Sequence, residues 1–170
     1  MSDRTFLGLP AGSPASLAEA AANVAILGIP FGVQYPSAKT AGCADAPAAI
    51  RARSHRLANF ADHHDFDLDA PMLVGQPPLR VVDAGDVDGT AEDGAGNSAR
   101  AEAAVRTILG TGAIPIVLGG DDSVPIPALR AYAGGVPFSV LQIDAHLDFR
   151  DEVGGVRDGY SSPMRRAGLA

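Results

Sequence analysis

The sequence offers little that would staple the chain covalently or anchor it in a membrane. Its 170 residues include one cysteine, Cys43. No internal disulfide can form, which agrees with a reducing cytoplasm, and the thiol reads as structural or incidental. No apolar run reaches the roughly 18 residues of a membrane span. The opening residues MSDRTFLGLP lack the basic and apolar regions of a secretory leader. Positive charge is scarce: 13 Lys and Arg stand against 20 Asp and Glu, for a formal charge of −7. An acidic chain without a basic block is a poor match for nucleic acid and a better one for a cationic ligand or a metal ion. Internal repeats, low-complexity linkers, a P-loop and a Gly-x-Gly-x-x-Gly turn are all missing. Ser123 and Ser161 lack the strand–turn–helix setting of a hydrolase nucleophile.

What is present reads as a globular α/β domain. Apolar residues make up 46% and charged residues 19%, enough for a core in a chain of this length. The 20 glycines and 13 prolines suit a fold with many turns between short elements. Four Val/Ile/Leu-rich runs, residues 23–29, 79–83, 113–118 and 137–144, predict strands buried on both faces. Helices are predicted between them. Asp45 is placed to cap one that has Pro47 in its first turn. Residues 98–109 carry a helical stripe of Ala101, Ala104, Val105, Ile108 and Leu109, with Glu102 and Arg106 paired on another face and Gly110 at the end. A shorter helix follows Ser123, with Leu129 and Tyr132 inward. Residues 60–78 read as a surface excursion. Strands alternating with helices imply crossovers and a mainly parallel sheet, whose ligands bind beyond the strands' carboxyl ends.

Two motifs fall at such ends. Asp144-Ala145-His146-Leu147-Asp148 follows the fourth run. In an extended chain Asp144 and Asp148 would lie about 13 Å apart at roughly 3.3 Å per residue, too far for one ion. The chain must curl if the two are to share a site, or they serve neighbouring ions through a bridging carboxylate. Carboxylates with one imidazole suit a hard divalent ion such as manganese. The same residues also read as a strand end with solvated acids and a satisfied histidine. Gly119-Gly120-Asp121-Asp122-Ser123 follows the third run. Its glycines allow a tight turn, and two adjacent acids can aim one side chain at a ligand and the other at the backbone. Alternatively, one of them caps the next helix. His63 and His64 beside Asp62, Asp65, Asp67 and Asp69 read as a metal group or a solvated acidic loop, and His55 as a surface residue. A phosphoryl-accepting receiver domain would also cluster aspartates at strand ends. It sits poorly with the Asp-x-His-x-Asp spacing and with the lack of a lone acceptor Asp followed by a Lys.

Taken together, residues 119–123 and 144–148 resemble the two N-terminal signatures of the arginase–agmatinase (ureohydrolase) family. Leu27-Gly28-Ile29-Pro30-Phe31-Gly32, Ala46-Pro47-Ala48-Ala49-Ile50-Arg51, Val82-Asp83-Ala84-Gly85-Asp86-Val87 and Ser162-Pro163-Met164-Arg165-Arg166-Ala167 fit the same frame in order, closer to the agmatinase branch than to arginase proper. The resemblance implies a three-layer α/β/α fold with a mainly parallel sheet. Residues 1–170 would be the N-terminal part of a single ureohydrolase domain. It further implies two manganese ions, with nickel or another divalent ion as alternatives. Asp144 would bridge both ions, Asp148 would join it on one and His146 would bind the other. A metal-bound hydroxide would then cleave a linear, agmatine-like guanidino compound to urea and an amine. Asp122 stands where the family usually has His, and is read as a retained ligand or a degraded one. Tyr160 stands where a His usually shuttles protons or contacts substrate. With a side-chain pKa near 10 it is a poor shuttle at neutral pH, but it could bond to or stack on a guanidinium. Arg150, Asp151 and Arg157 in the same loop read as a solvated loop or as selectors of the substrate tail. Four candidate ligands are few for two ions that take about five or six each, so weak metal binding and no useful turnover are expected of this chain alone. The alternative is a truncated, non-catalytic chain that acts through assembly. A half-sheet with an apolar edge predicts self-association, and the family's trimers and hexamers predict a homo-oligomer at full length.

Overall fold

The computed structural model describes residues 4–36, 41–71 and 79–168. In chain order these form β1 (Val24–Ile29), α1 (Ala46–Ser54), β2 (His64–Asp65), β3 (Ala70–Pro71), β4 (Val81–Asp86), α2 (Gly94–Gly110), β5 (Ile114–Gly119), α3 (Pro125–Arg130) and α4 (Pro163–Ala167), with short 3-10 turns between some of them. Strands β4, β1 and β5 make a parallel sheet in that order. β1 and β5 run in register from Val24 opposite Ile114 to Ile29 opposite Gly119, which brings the loops after both strands to one edge.

Side-chain alternation along β1 sorts the two layers around the sheet. Ala25, Leu27 and Ile29 join Ala101, Val105 and Ile108 of α2 in the apolar core. Gly28 points the other way and abuts the guanidinium of Arg51 on α1. β1 is therefore covered on both faces, as its composition predicts. β5 is not: Ile114 and Ile116 are exposed. The fourth predicted strand, residues 137–144, does not form. That segment is irregular, and Ile143 is 92% exposed. A strand needs a neighbour for its N–H and C=O groups, and among the described residues none pairs with this run.

Other boundaries moved for local reasons. The second strand begins at Val81 and runs on to Asp86, past the predicted end at residue 83. Asp45 makes no side-chain cap, because a 3-10 turn over Ala41–Asp45 leads straight into α1 and already holds Asp45 in a helical conformation. α2 starts four residues before the prediction. Gly94 and Gly96 are weak helix formers, but the Asp93 carboxylate accepts the Gly96 N–H at 2.9 Å and caps the turn. The Glu102–Arg106 pair is present at 2.9 Å. In α3 the inward residues are Ile126 and Pro127. Tyr132 lies past the helix, half-exposed, with its ring against Phe138. The excursion after α1 contains the small antiparallel pair β2–β3; Pro77 and Pro78 lie outside the described residues. His55 is part-buried, its Nε2 2.8 Å from the Thr5 carbonyl.

One buried ion pair fastens these pieces. Arg51 places Nε and Nη2 on the two oxygens of Asp83 at 2.8 and 2.9 Å. It also reaches Asp86 and, at 3.0 Å, the carbonyl of Gly85. The backbone N–H of Phe6 donates to Asp83 as well. Burial alone would raise the Asp83 carboxyl, but the hydrogen bond from Arg51, those from the Phe6 and Gly85 N–H groups, and the Arg51 charge hold it below the ordinary carboxylate value. Removing one partner of a buried pair strands the other charge. Arg51→Ala is therefore expected to cost about 3–5 kcal/mol of stability, read by urea denaturation. A loss below about 1 kcal/mol, the worth of a surface pair, would refute the clamp.

Candidate metal centre

The sheet edge carries the site. Gly120 begins the turn after β5, and its N–H donates to the Ile29 carbonyl at 2.9 Å. A Cβ there would collide with the Pro30 carbonyl, so only glycine lets the two loops approach this closely. The next two acids part. Asp121 Oδ1 accepts the Ser123 N–H at 3.0 Å and the Ser123 hydroxyl. Ser123 Oγ in turn accepts the Val33 N–H at 2.7 Å. Asp121 thus builds the turn, and Asp122 faces outward.

The Asp-x-His-x-Asp segment curls, one of the two arrangements that the distance argument allows. Asp144 Oδ1 accepts the His146 N–H at 2.7 Å, an Asx-type turn. Asp148 sits at φ +44°, a left-handed conformation that Asp tolerates better than most residues. Its carbonyl accepts the N–H groups of Met164 and Arg165 at the start of α4. Gln142 Nε2 bridges the His146 carbonyl at 3.1 Å and Asp148 Oδ2 at 3.2 Å. As a result Asp122, Asp144 and Asp148 each bring a carboxylate oxygen within 4.8 Å of the others.

This grouping is electrostatically costly without a cation. The Asp122 carboxyl is pushed up to about 7 by desolvation, then by a hydrogen bond with Asp148 and its charge, then by the charges of Asp144 and Asp121. Since the side chain is open to solvent, we give the crowding of acids more weight than burial. A divalent ion would relieve it, and three oxygen donors suit a hard ion such as Mn2+. The residues present therefore fit such an ion.

The other predicted site residues sit as follows. His146 is not in the three-carboxylate group. Its ring is exposed and its Nδ1 lies 3.7 Å from Asp144. Tyr160, His146 and Arg150 line an open cleft of about 970 Å³ with the three aspartates. Asp151 does not line it. It faces Arg157, Arg165 and Arg166 at 3.3–3.4 Å. Desolvation works to raise its carboxyl, but those arginines outweigh it and lower the carboxyl below its ordinary value. His64 lies 3.5 Å from Asp69, both exposed.

Sequence reasoning missed Tyr35. It is buried, its ring centroid is 4.5 Å from that of Tyr160, and its hydroxyl accepts the Ser161 N–H at 3.1 Å. Its ring occupies the space that a Cβ on Gly159 would need. Tyr35 thus fixes the loop that carries Tyr160 into the cleft. Its contacts lie more than a hundred residues away in sequence, so no local pattern could announce it.

The sequence model of the arginase family matches residues 22–169. Guanidinopropionase from Pseudomonas aeruginosa is 30% identical over 165 residues, which cover 96% of this chain and 48% of that protein. An agmatinase from Pyrococcus horikoshii is 31% identical over 147 residues, covering 85% and 47%. The crystal structure of Trypanosoma cruzi formiminoglutamase with Mn2+ superposes with a TM-score of 0.69 at 26% identity, covering 97% of this chain and 52% of that one. The chain spans about half the length of these relatives.

Proton linkage gives a test of the crowded aspartates. Asp122 holds its proton in the folded chain up to about 7, against an ordinary value of 3.8. The folded state therefore binds more protons than the unfolded one between those values, and metal-free stability should fall as pH rises through that window. Asp122→Asn should flatten the decline in urea midpoints measured from about pH 4 to 7. An unchanged slope in the variant would refute the crowding.

Proposed function

The chain belongs to the arginase family, and from that premise we propose that it carries part of the metal centre of an agmatinase-like hydrolase, which cleaves a linear guanidino compound to urea and an amine. The observation that carries this reading is the convergence of Asp122, Asp144 and Asp148 from two separate loops. Asp122, Asp144 and Asp148 would hold one divalent ion, and Asp144 with His146 would hold a second. The ions are manganese in this reading, with nickel or another divalent ion as the alternative. When bound, such ions supply an activated water at neutral pH, the chemistry that guanidino hydrolysis needs.

The chain's own residues define the rest. Tyr160, held by Tyr35, lines the cleft, and a planar guanidinium stacks favourably on an aromatic ring. The excess of acids, −7 overall, favours a cationic substrate over nucleic acid. Among the described residues no helix is long and apolar enough to cross a membrane. We read residues 1–170 as the N-terminal part of one ureohydrolase domain that works in the cytoplasm as a homo-oligomer. Coverage of about half of each relative supports the domain reading.

Manganese uptake is the direct test, followed by loss of the free-ion signal in electron paramagnetic resonance. Saturable uptake is expected. Asp148→Asn should weaken it by at least the roughly 10–100-fold that loss of an outer-shell partner costs, while Asp151→Asn should leave it unchanged. Uptake indifferent to Asp148 would remove the proposed centre. Manganese-dependent urea release from agmatine in preference to 3-guanidinopropionate, measured on the protein purified from its source, tests the substrate.

A further inference from the structure

A second charged cavity shares no lining residue with the metal cleft. It has a volume of about 570 Å³ and is walled by Glu102 and Arg106 of α2, Arg130 at the end of α3, Arg157 and Asp158 of the following loop, and Arg166 of α4. In a chain of net charge −7 this is a locally positive place. Its lining sets four guanidiniums against two carboxylates.

The carboxylates are already engaged. Glu102 is held by Arg106 through Nε at 3.1 Å and Nη2 at 2.9 Å. Asp158 is held by Arg130 at 2.8 and 3.0 Å and by Arg166 at 3.4 Å. Arg166, 6% exposed, also donates to the carbonyls of Arg157 and Asp151. It forms a buried floor that holds the loop in place. Arg106 and Arg157 differ from it. Their side chains are 46% and 60% exposed. Arg106 spends Nε and Nη2 on Glu102 and the Arg130 carbonyl, and Arg157 makes one long contact, 3.4 Å, to Asp151. A guanidinium has five N–H donors in a planar fork that matches an oxyanion edge. Both side chains therefore keep donors for a ligand, over a floor that is already set.

We infer that this cavity binds a small doubly charged oxyanion, a phosphate or phosphoryl group of a soluble metabolite, between Arg106 and Arg157. The surplus of two positive charges matches a dianion. The cavity volume is that of a small-molecule site rather than a flat patch, which favours a soluble anion over a membrane surface or an acidic protein. The assignment does not depend on the metal centre.

The test is calorimetric titration of inorganic phosphate into the metal-free 170-residue chain at constant ionic strength, with chloride and acetate as controls. Saturable one-to-one binding is expected with phosphate and not with either control. Arg106→Gln and Arg157→Gln should each weaken it about tenfold, the loss of a charge-assisted hydrogen bond. Arg106→Lys should fall between, since it keeps the charge and loses the fork. Asp122→Asn, outside this cavity, should leave the phosphate affinity unchanged. Both arginines are largely exposed, and circular dichroism checks that the variants fold. Absence of saturable heat, equal affinity in the double Gln variant, or tight binding to phosphatidic acid vesicles with no response to free phosphate would each overturn the inference.

Discussion

The fold turns on one guanidinium. Arg51 is carried into the interior by α1 and meets Asp83 and Asp86 at the carboxyl end of β4, with Gly28 of β1 pressed against it. Three segments distant in sequence are fixed there: the helix, the edge strand and the N-terminal turn whose Phe6 N–H also bonds Asp83. A charge buried this deeply is tolerated only when its partners are placed closely. The pair therefore specifies where β4 stops and where α1 crosses it. With that corner set, β1 and β5 can run in register to the edge where Gly120 docks on Ile29.

The same sheet shows what neighbours do to an aspartate. Asp83 is buried among donors, and its carboxyl is held low. Asp122 is more open, yet its carboxyl is pushed up to about 7, because its neighbours are other acids. Burial opposes ionisation in both, so it cannot explain the opposite outcomes. Asp83 has its cation built into the chain. Among the described residues no arginine pairs with Asp122 as Arg51 does with Asp83, and a group arranged this way keeps its folded form at a cost unless a cation arrives from outside. That contrast separates a structural acid from a candidate ligand more firmly than exposure does.

How much of this could be read from the sequence depended on how local its cause was. β1 and α2 were legible because their apolar patterns answer to neighbours on both sides, and those neighbours are present. Residues 137–144 have an equally apolar pattern, but a strand is a property of a pair, and here no pair forms. The start of α2 was hidden because glycine propensity argued against a turn that Asp93 then capped. At the site, distance arithmetic offered the curl of residues 144–148 as one of two arrangements, and the adjacency of Asp121 and Asp122 after a strand allowed a division of labour without telling which acid takes which part. Arg51 was visible only as a helix residue and Tyr35 not at all. Their partners lie 32 and 126 positions away, and one sequence does not reveal which distant residue will meet which.

Asp122 carries the remaining argument, because it stands where the family resemblance leads one to expect a histidine. An imidazole ligand is neutral when it binds a metal, and a carboxylate adds a full negative charge. With His146 exposed and outside the group, the three grouped donors are all oxygen. Such a set would favour hard, oxygen-seeking ions over zinc or copper, which nitrogen and sulfur ligands select. It would also bind its ion in competition with a proton near neutral pH, since a ligand must shed its proton before it coordinates. A histidine ligand there would meet proton competition too, because the neighbouring carboxylates would stabilise its imidazolium form. What the substitution changes is therefore the charge of the centre. The extra negative charge of Asp122 would, with a divalent ion in place, leave the centre less positive and repel a cationic guanidinium less as it approaches past Tyr160.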